Sequence, residues 1–141
     1  MSYVADGVVK TDSALSLADR LVQLFNSLNS IFEQFDPMEA AVEEIFVNKN
    51  AASTLKLGQA RAISLFVPAY AGLQVAEYSP NLIKKTVVGT GHADKGQVQM
   101  MVQTLLPGAA VKSSDAADAL AVAICHANHR DNIQTQLLAG E

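Results

Sequence analysis

Asp115 and Asp118 stand at i and i+3 in Ser114-Asp115-Ala116-Ala117-Asp118-Ala119-Leu120. On a helix that spacing puts the two carboxylates one above the other, with Cβ atoms roughly 5–6 Å apart. Around them come only Ala, Leu, Val and Ile, through Ile124. Two acids on an otherwise apolar helix have two readings. They cap the helix start, where a side-chain oxygen accepts orphan N–H bonds and negative charge suits the dipole, or something cationic sits against them. Capping explains Asp115 well, with Ser113 or Ser114 as N-cap. It explains Asp118 poorly, because the dipole effect fades after the first turn. A hard divalent cation prefers such carboxylate oxygens to Cys or His. A third carboxylate at the end of a buried strand would decide for the metal.

The best source of that third acid is Ala40-Ala41-Val42-Glu43-Glu44-Ile45-Phe46-Val47. This short apolar run between Pro37 and Asn48-Lys49-Asn50 reads as a buried strand. Side chains alternate along a strand, so Glu43 and Glu44 face opposite ways and one of them points inward. A carboxylate so placed is costly unless paired or metal-bound.

The elements that must position these acids follow from periodicity. Tyr3–Lys10 reads as a strand bent at Gly7. Asp12 or Ser13 then caps a helix whose Leu17, Leu21, Leu24, Phe25, Leu28, Ile31, Phe32 and Phe35 recur at three and four, ending before Pro37. Ala51 to about Gly72 is helical, with Pro68 set to kink it or end it early. Gln74–Tyr78 is a short strand and Asn81–Val88 a helix carrying Lys84 and Lys85. Residues 89–95 form a loop, a helix follows from Gly96 or Gln97 to Pro107-Gly108, and the acidic helix runs from Asp115 to about Asn128. Residues 1–130 make one domain and 131–141 a tail.

Composition excludes several classes. The chain has 141 residues, enough for one domain with a core. Half of it is apolar and 17% charged, unlike a disordered chain. One cysteine gives neither a disulfide nor a thiolate cluster. His92, His126 and His129 form no zinc spacing with Cys125. Gly89-Thr90-Gly91 lacks the pattern of a phosphate-cradling loop. With no signal peptide and no apolar run near ~20 residues, the sequence suits a cytoplasmic protein with no membrane partner. Net charge is −4, yet the window from Lys49 to Lys95 carries +4 and the remainder −8. A basic stretch beside an acidic cluster is compatible with a metal-assisted phosphodiesterase and equally with an ordinary mixed surface.

Taken together, the motifs resemble a known family. Ala41-Val42-Glu43-Glu44-Ile45-Phe46, Asn48-Lys49-Asn50 and Lys56-Leu57-Gly58-Gln59-Ala60-Arg61 are similar to the middle of the RuvC-type Holliday-junction resolvases. So are Lys85-Thr86-Val87-Val88-Gly89-Thr90-Gly91, Ala93-Asp94-Lys95 and Gln97-Val98-Gln99, and Asp115 to Ala121 matches the family's last motif. The resemblance runs from about Tyr3 to His129. It implies an α/β, ribonuclease-H-like fold with a mixed five-stranded sheet flanked by helices. It implies a homodimer that binds a four-way DNA junction, nicks two strands symmetrically with Mg²⁺ or Mn²⁺, two ions per site, and works with a branch-migration helicase complex.

Carried over, Glu43, Asp115 and Asp118 are catalytic metal ligands, Lys84 and Lys95 lie near the scissile phosphate, with Lys95 catalytic, and Phe46 contacts bases near the crossover. Lys49 and Lys85 join them as nucleic-acid contacts. Physical chemistry agrees with this set, since two metals ~3.5–4 Å apart activate water and neutralise the leaving oxyanion. Lysines offset the remaining charge, and an aromatic ring stacks on an unpaired base. One departure stands out. The family opens with a strand bearing Asp-Pro-Gly, whose Asp is a fourth ligand, and the sequence has no such motif. Asp6 lies on the wrong strand to replace it. The expectation is therefore a sheet without its first two strands, and the alternative to a nuclease is a truncated, inactive homologue that only binds branched DNA or dimerises.

Overall fold

The computed structural model describes the backbone of residues 1–45 and 49–139, with side chains as far as residue 132. The elements in order are α1 (Leu17–Phe35), β1 (Glu39–Glu43), α2 (Ala51–Tyr70), β2 (Gln74–Tyr78), α3 (Pro80–Val88), α4 (Lys95–Leu105) and α5 (Ser114–Ala139). Among the described residues β1 pairs with β2 in a two-stranded sheet. The chain forms two compact units, residues 9–77 and residues 1–8 with 78–141.

In residues 9–77, α1 starts later than Asp12 or Ser13 would have it. Asp12 instead closes a turn, its Oδ1 accepting from the Ala14 N–H at 2.9 Å. The helix cap is Ser16, whose Oγ accepts from Asp19 N at 3.1 Å and donates to the Asp19 carboxylate at 2.8 Å. Asp19 thus satisfies both the cap and the dipole. The helix stops at Asp36, which takes a left-handed conformation (φ 45°) just before Pro37. Asn50 caps α2, and its side chain accepts from Ser53 N. Pro68 lies inside α2, which ends two residues later at Tyr70. Early termination follows from a ring that removes one N–H and crowds the preceding turn. α1 and α2 pack together, with Phe25 and Phe66 ring centroids 6.5 Å apart, and α2 also packs on β1. Among the described residues here, only Val67 and Pro68 are buried. Leu17, Val22, Leu55, Leu57, Phe66 and Tyr70 are all exposed.

The other unit holds nearly all of the core. α3, α4 and α5 pack on one another, and Ile83, Val87, Val98, Val102, Ile124 and Cys125 are buried between them. Ala116, Ala117 and Ala121 on α5 are also buried; their small side chains let helices approach closely. Ser79 caps α3 with Pro80 in its first turn, and Gly89 ends it with φ 92°, a conformation that glycine adopts without strain. α5 runs well past the expected end near Asn128, because no Gly or Pro interrupts residues 114–139.

Two expectations need correction. Residues 3–10 form no strand. No neighbouring strand among the described residues offers them a ladder, and they lie mostly exposed, where water satisfies their backbone groups. The strand at 40–47 is Glu39–Glu43. Glu44 falls outside it, and both Glu43 and Glu44 are exposed, so neither acid faces inward in the chain as described.

Candidate active site

Ser113 caps α5. Its carbonyl accepts from Ala117 N at 3.1 Å and its Oγ from Ala116 N at 3.0 Å. Capping is thereby assigned to a serine, and neither aspartate is needed for it. Asp115 sits exposed in the first turn. Asp118, one turn on, is half-buried. Burial pushes its carboxyl up from the ordinary carboxylate range, with the Asp115 charge adding to the rise. Lys95, and more weakly Lys84, pull it back down. Two acids and two ammonium groups therefore share one electrostatic neighbourhood, although they come from three helices.

Each helix holds its member by a local device. Lys95 is the first residue of α4, directly after the cap Asp94. Asp94 Oδ1 accepts from Gln97 N at 2.9 Å and Gln97 Oε1 accepts from Asp94 N at 3.0 Å, a reciprocal capping box. A cation at a helix N-terminus works against the dipole, so Lys95 is placed there at some cost to α4. Lys84 is half-buried on α3, whereas Lys85 beside it is exposed.

Midway along α5, His126 Nδ1 lies 2.8 Å from the Tyr78 hydroxyl. His129 Nδ1 contacts the Cys125 carbonyl at 2.8 Å. The Cys125 thiol is buried against Thr86, and burial raises its pKa. The histidines thus tie α5 to its surroundings, where sequence reading had weighed them only for zinc.

Glu43 belongs to residues 9–77, as the last residue of β1. Its backbone carbonyl accepts from Arg61 Nε at 3.1 Å. Lys49 is exposed, next to the α2 cap. Phe46 lies outside the described residues. Among those residues no three His, Cys, Asp or Glu side chains form a metal-holding group. The pair Asp115 and Asp118 still suits Mg²⁺, which is commonly held by one or two carboxylates, with water and substrate phosphate filling the other positions.

The chain matches the family described as crossover junction endodeoxyribonuclease RuvC over residues 1–126. It is 58% identical over 139 residues to the Rhodospirillum rubrum protein of that name, covering 99% of this chain and 82% of that one. The chain belongs to the RuvC family. The Rhizobium meliloti member is 53% identical, again over 99% of this chain and 82% of the relative. Among solved structures, Thermus thermophilus RuvC superposes with a TM-score of 0.80 at 32% identity, over 91% of this chain and 78% of that one. RuvC from the same organism in complex with Holliday junction substrate gives 0.81 at 33%, over 88% and 76%. The fold is thus the ribonuclease-H-like fold of RuvC, with mixed helix and strand, and the family is one of nucleases.

Glu43, Lys84, Lys85, Lys95, Asp115 and Asp118 lie on helices or at a strand end, whereas Lys49 lies in the loop before α2. Arg61 was visible only as one basic residue in a motif. The available signal was one of two cations on α2, Arg61 beside Lys56, with an acid, Glu77, on a strand.

Proposed function

We propose that the protein is a structure-specific endonuclease that cuts four-way DNA junctions by metal-dependent hydrolysis of phosphodiester bonds in recombination and repair. The observation that carries this reading is the neighbourhood of Asp115, Asp118, Lys84 and Lys95, together with membership of a family whose relatives bear that activity in their names. Asp115 and Asp118 would hold Mg²⁺ or Mn²⁺, and Glu43 is carried over from the family as a further metal ligand; the metal would supply an activated water and a neutralised leaving oxygen. Burial raises the Asp118 carboxyl, and a bound cation would favour its ionised form. Lys95 and Lys84 place ammonium groups where charge builds on the phosphate oxygens. Lys49 and Lys85, both exposed, anchor flanking phosphates, which position the DNA without reading its sequence. Phe46 stacks on a base at the crossover.

Residues 1–130 serve as one nuclease domain, with β1 and β2 corresponding to two strands of the five-stranded sheet that the family resemblance implies. Two symmetric nicks need two sites related by a two-fold axis, and so a self-complementary interface. The exposed Leu55, Leu57, Phe66 and Tyr70 of α2 supply apolar surface for it. The protein acts in the cytoplasm with a branch-migration helicase complex.

The deciding experiment uses a mobile four-way junction with Mg²⁺. Glu43→Gln, Asp115→Asn and Asp118→Asn should each abolish nicking while junction binding in the absence of metal survives. Nicking that persists in all three variants would remove the acids from the mechanism. Binding without cutting by the unaltered protein would leave a branched-DNA-binding homologue.

A further inference from the structure

Arg61 lies on α2 with its side chain largely buried. Its two ends have different partners. Nε donates to the Glu43 carbonyl at the end of β1, at 3.1 Å. Nη2 pairs with the Glu77 carboxylate on β2. One guanidinium thus joins a helix to both strands of the sheet, and does so at the residue where β1 stops. Glu43 is the last residue of β1, and Arg61 holds its carbonyl from the side.

From this juxtaposition we infer that Arg61 is a positioning residue for the acid at the end of β1, pinning the Glu43 backbone so that its carboxylate is held ready for the metal. The inference rests on the reading of Glu43 as a metal ligand. The guanidinium is planar, with donors in a rigid fork, so an N–H fixed on Glu77 aims another at the Glu43 carbonyl. A lysine carries the same charge on one flexible point and cannot hold both directions. Groups that orient a metal ligand without touching the metal commonly change affinity by 10–100-fold when lost, and a misplacement of about 1 Å can cost ~10²-fold in rate.

The test measures Mn²⁺ binding to the protein without DNA, by electron paramagnetic resonance of the free ion. Metal-free junction binding and the Mg²⁺ concentration for half-maximal nicking are measured beside it. Arg61→Gln and Arg61→Lys should both weaken Mn²⁺ binding about tenfold or more and raise the Mg²⁺ requirement by a similar factor. Junction affinity without metal should not change. Lysine failing as glutamine does is what distinguishes the fork from the charge. Glu77→Gln releases one end only and should shift metal affinity the same way by less; if the Arg61 variants do not fold, this variant decides. Unchanged Mn²⁺ affinity overturns the inference, and so does a loss of metal-free junction binding with metal affinity intact, which would make Arg61 a DNA contact. Glu43→Gln separates the two levels. If it leaves Mn²⁺ binding intact, the reading of Glu43 falls and Arg61 with it. If it weakens binding while the Arg61 and Glu77 variants do not, only the role of Arg61 falls.

Discussion

Lys95→Ala is the most informative single change, because Lys95 stands in two relations at once. It is the strongest of the charges that act on Asp118, and in the proposed function it is set against a phosphate. A pair of unit charges about 4 Å apart near a protein surface interacts by roughly 4 kcal/mol at an effective dielectric of 20. Lys95 is exposed, so water and salt take back a good part of that. A loss of about 1.4–2.7 kcal/mol of transition-state stabilisation is the reasonable range, which is about 10–100-fold in rate. Single-turnover cleavage of a pre-bound junction reads this directly, and junction binding without metal should change far less.

The second relation has its own readout. In metal-free protein, followed by carbon NMR of the Asp118 carboxyl, Lys95→Ala should raise the Asp118 pKa further. Lys84→Ala should raise it by less, and Asp115→Asn should lower it, following the order of their influence. Equal losses in binding and cleavage would make Lys95 a phosphate anchor. An Asp118 titration indifferent to Lys95 would refute the shared neighbourhood itself.

Other outcomes follow from the same structure. Asp118→Asn should leave thermal stability at neutral pH equal or higher: a carboxyl raised in the folded state favours folding while protonated and loses that contribution as pH rises through its folded pKa. Melting curves from acid to neutral pH should show the advantage of Asn disappear on acidification; an advantage that grows in acid would reverse the sign. Ile124→Ala, at a side chain only 1% exposed, should cost about 2–5 kcal/mol in urea unfolding, and a cost near zero would mean that α5 repacks freely. Leu55→Glu should convert a dimer to monomer in sedimentation at micromolar concentration, whereas an unaltered protein already monomeric there would remove α2 from the interface.

Much of the fold was legible because long helices advertise themselves. The three-and-four spacing from Leu17 to Phe35 located α1, and the helix expected from Ala51 to about Gly72 is α2. Short elements were harder. Val4, Val8 and Val9 have strand-forming side chains, but a strand exists only with a neighbour, and side-chain type says nothing about one. Asp12 has the chemistry of a cap and spends it on a turn, while Ser16 takes the helix because Asp19 answers it three residues later. At the candidate site, the i, i+3 acids were plain from spacing alone. That Lys84 and Lys95 act on Asp118 was not, since they come from other helices and only packing brings such charges together. Arg61 escaped for a related reason: it acts on a backbone carbonyl, and every residue has one.

The uneven division of burial between the two units sets an order in which the molecule opens. Among the described residues of 9–77 the buried ones are Val67 and Pro68, against a well-filled core around α5. Local opening costs least where few apolar contacts are lost, so amide protons of α1 and α2 should exchange with solvent well before those of α5. Trypsin should find Arg20 and Lys56 before it reaches Lys84. Any partner that covers the apolar side of α2 would lend protection to this half alone. Its lifetime in the cell would then follow protein concentration, while that of the α3–α5 half would not.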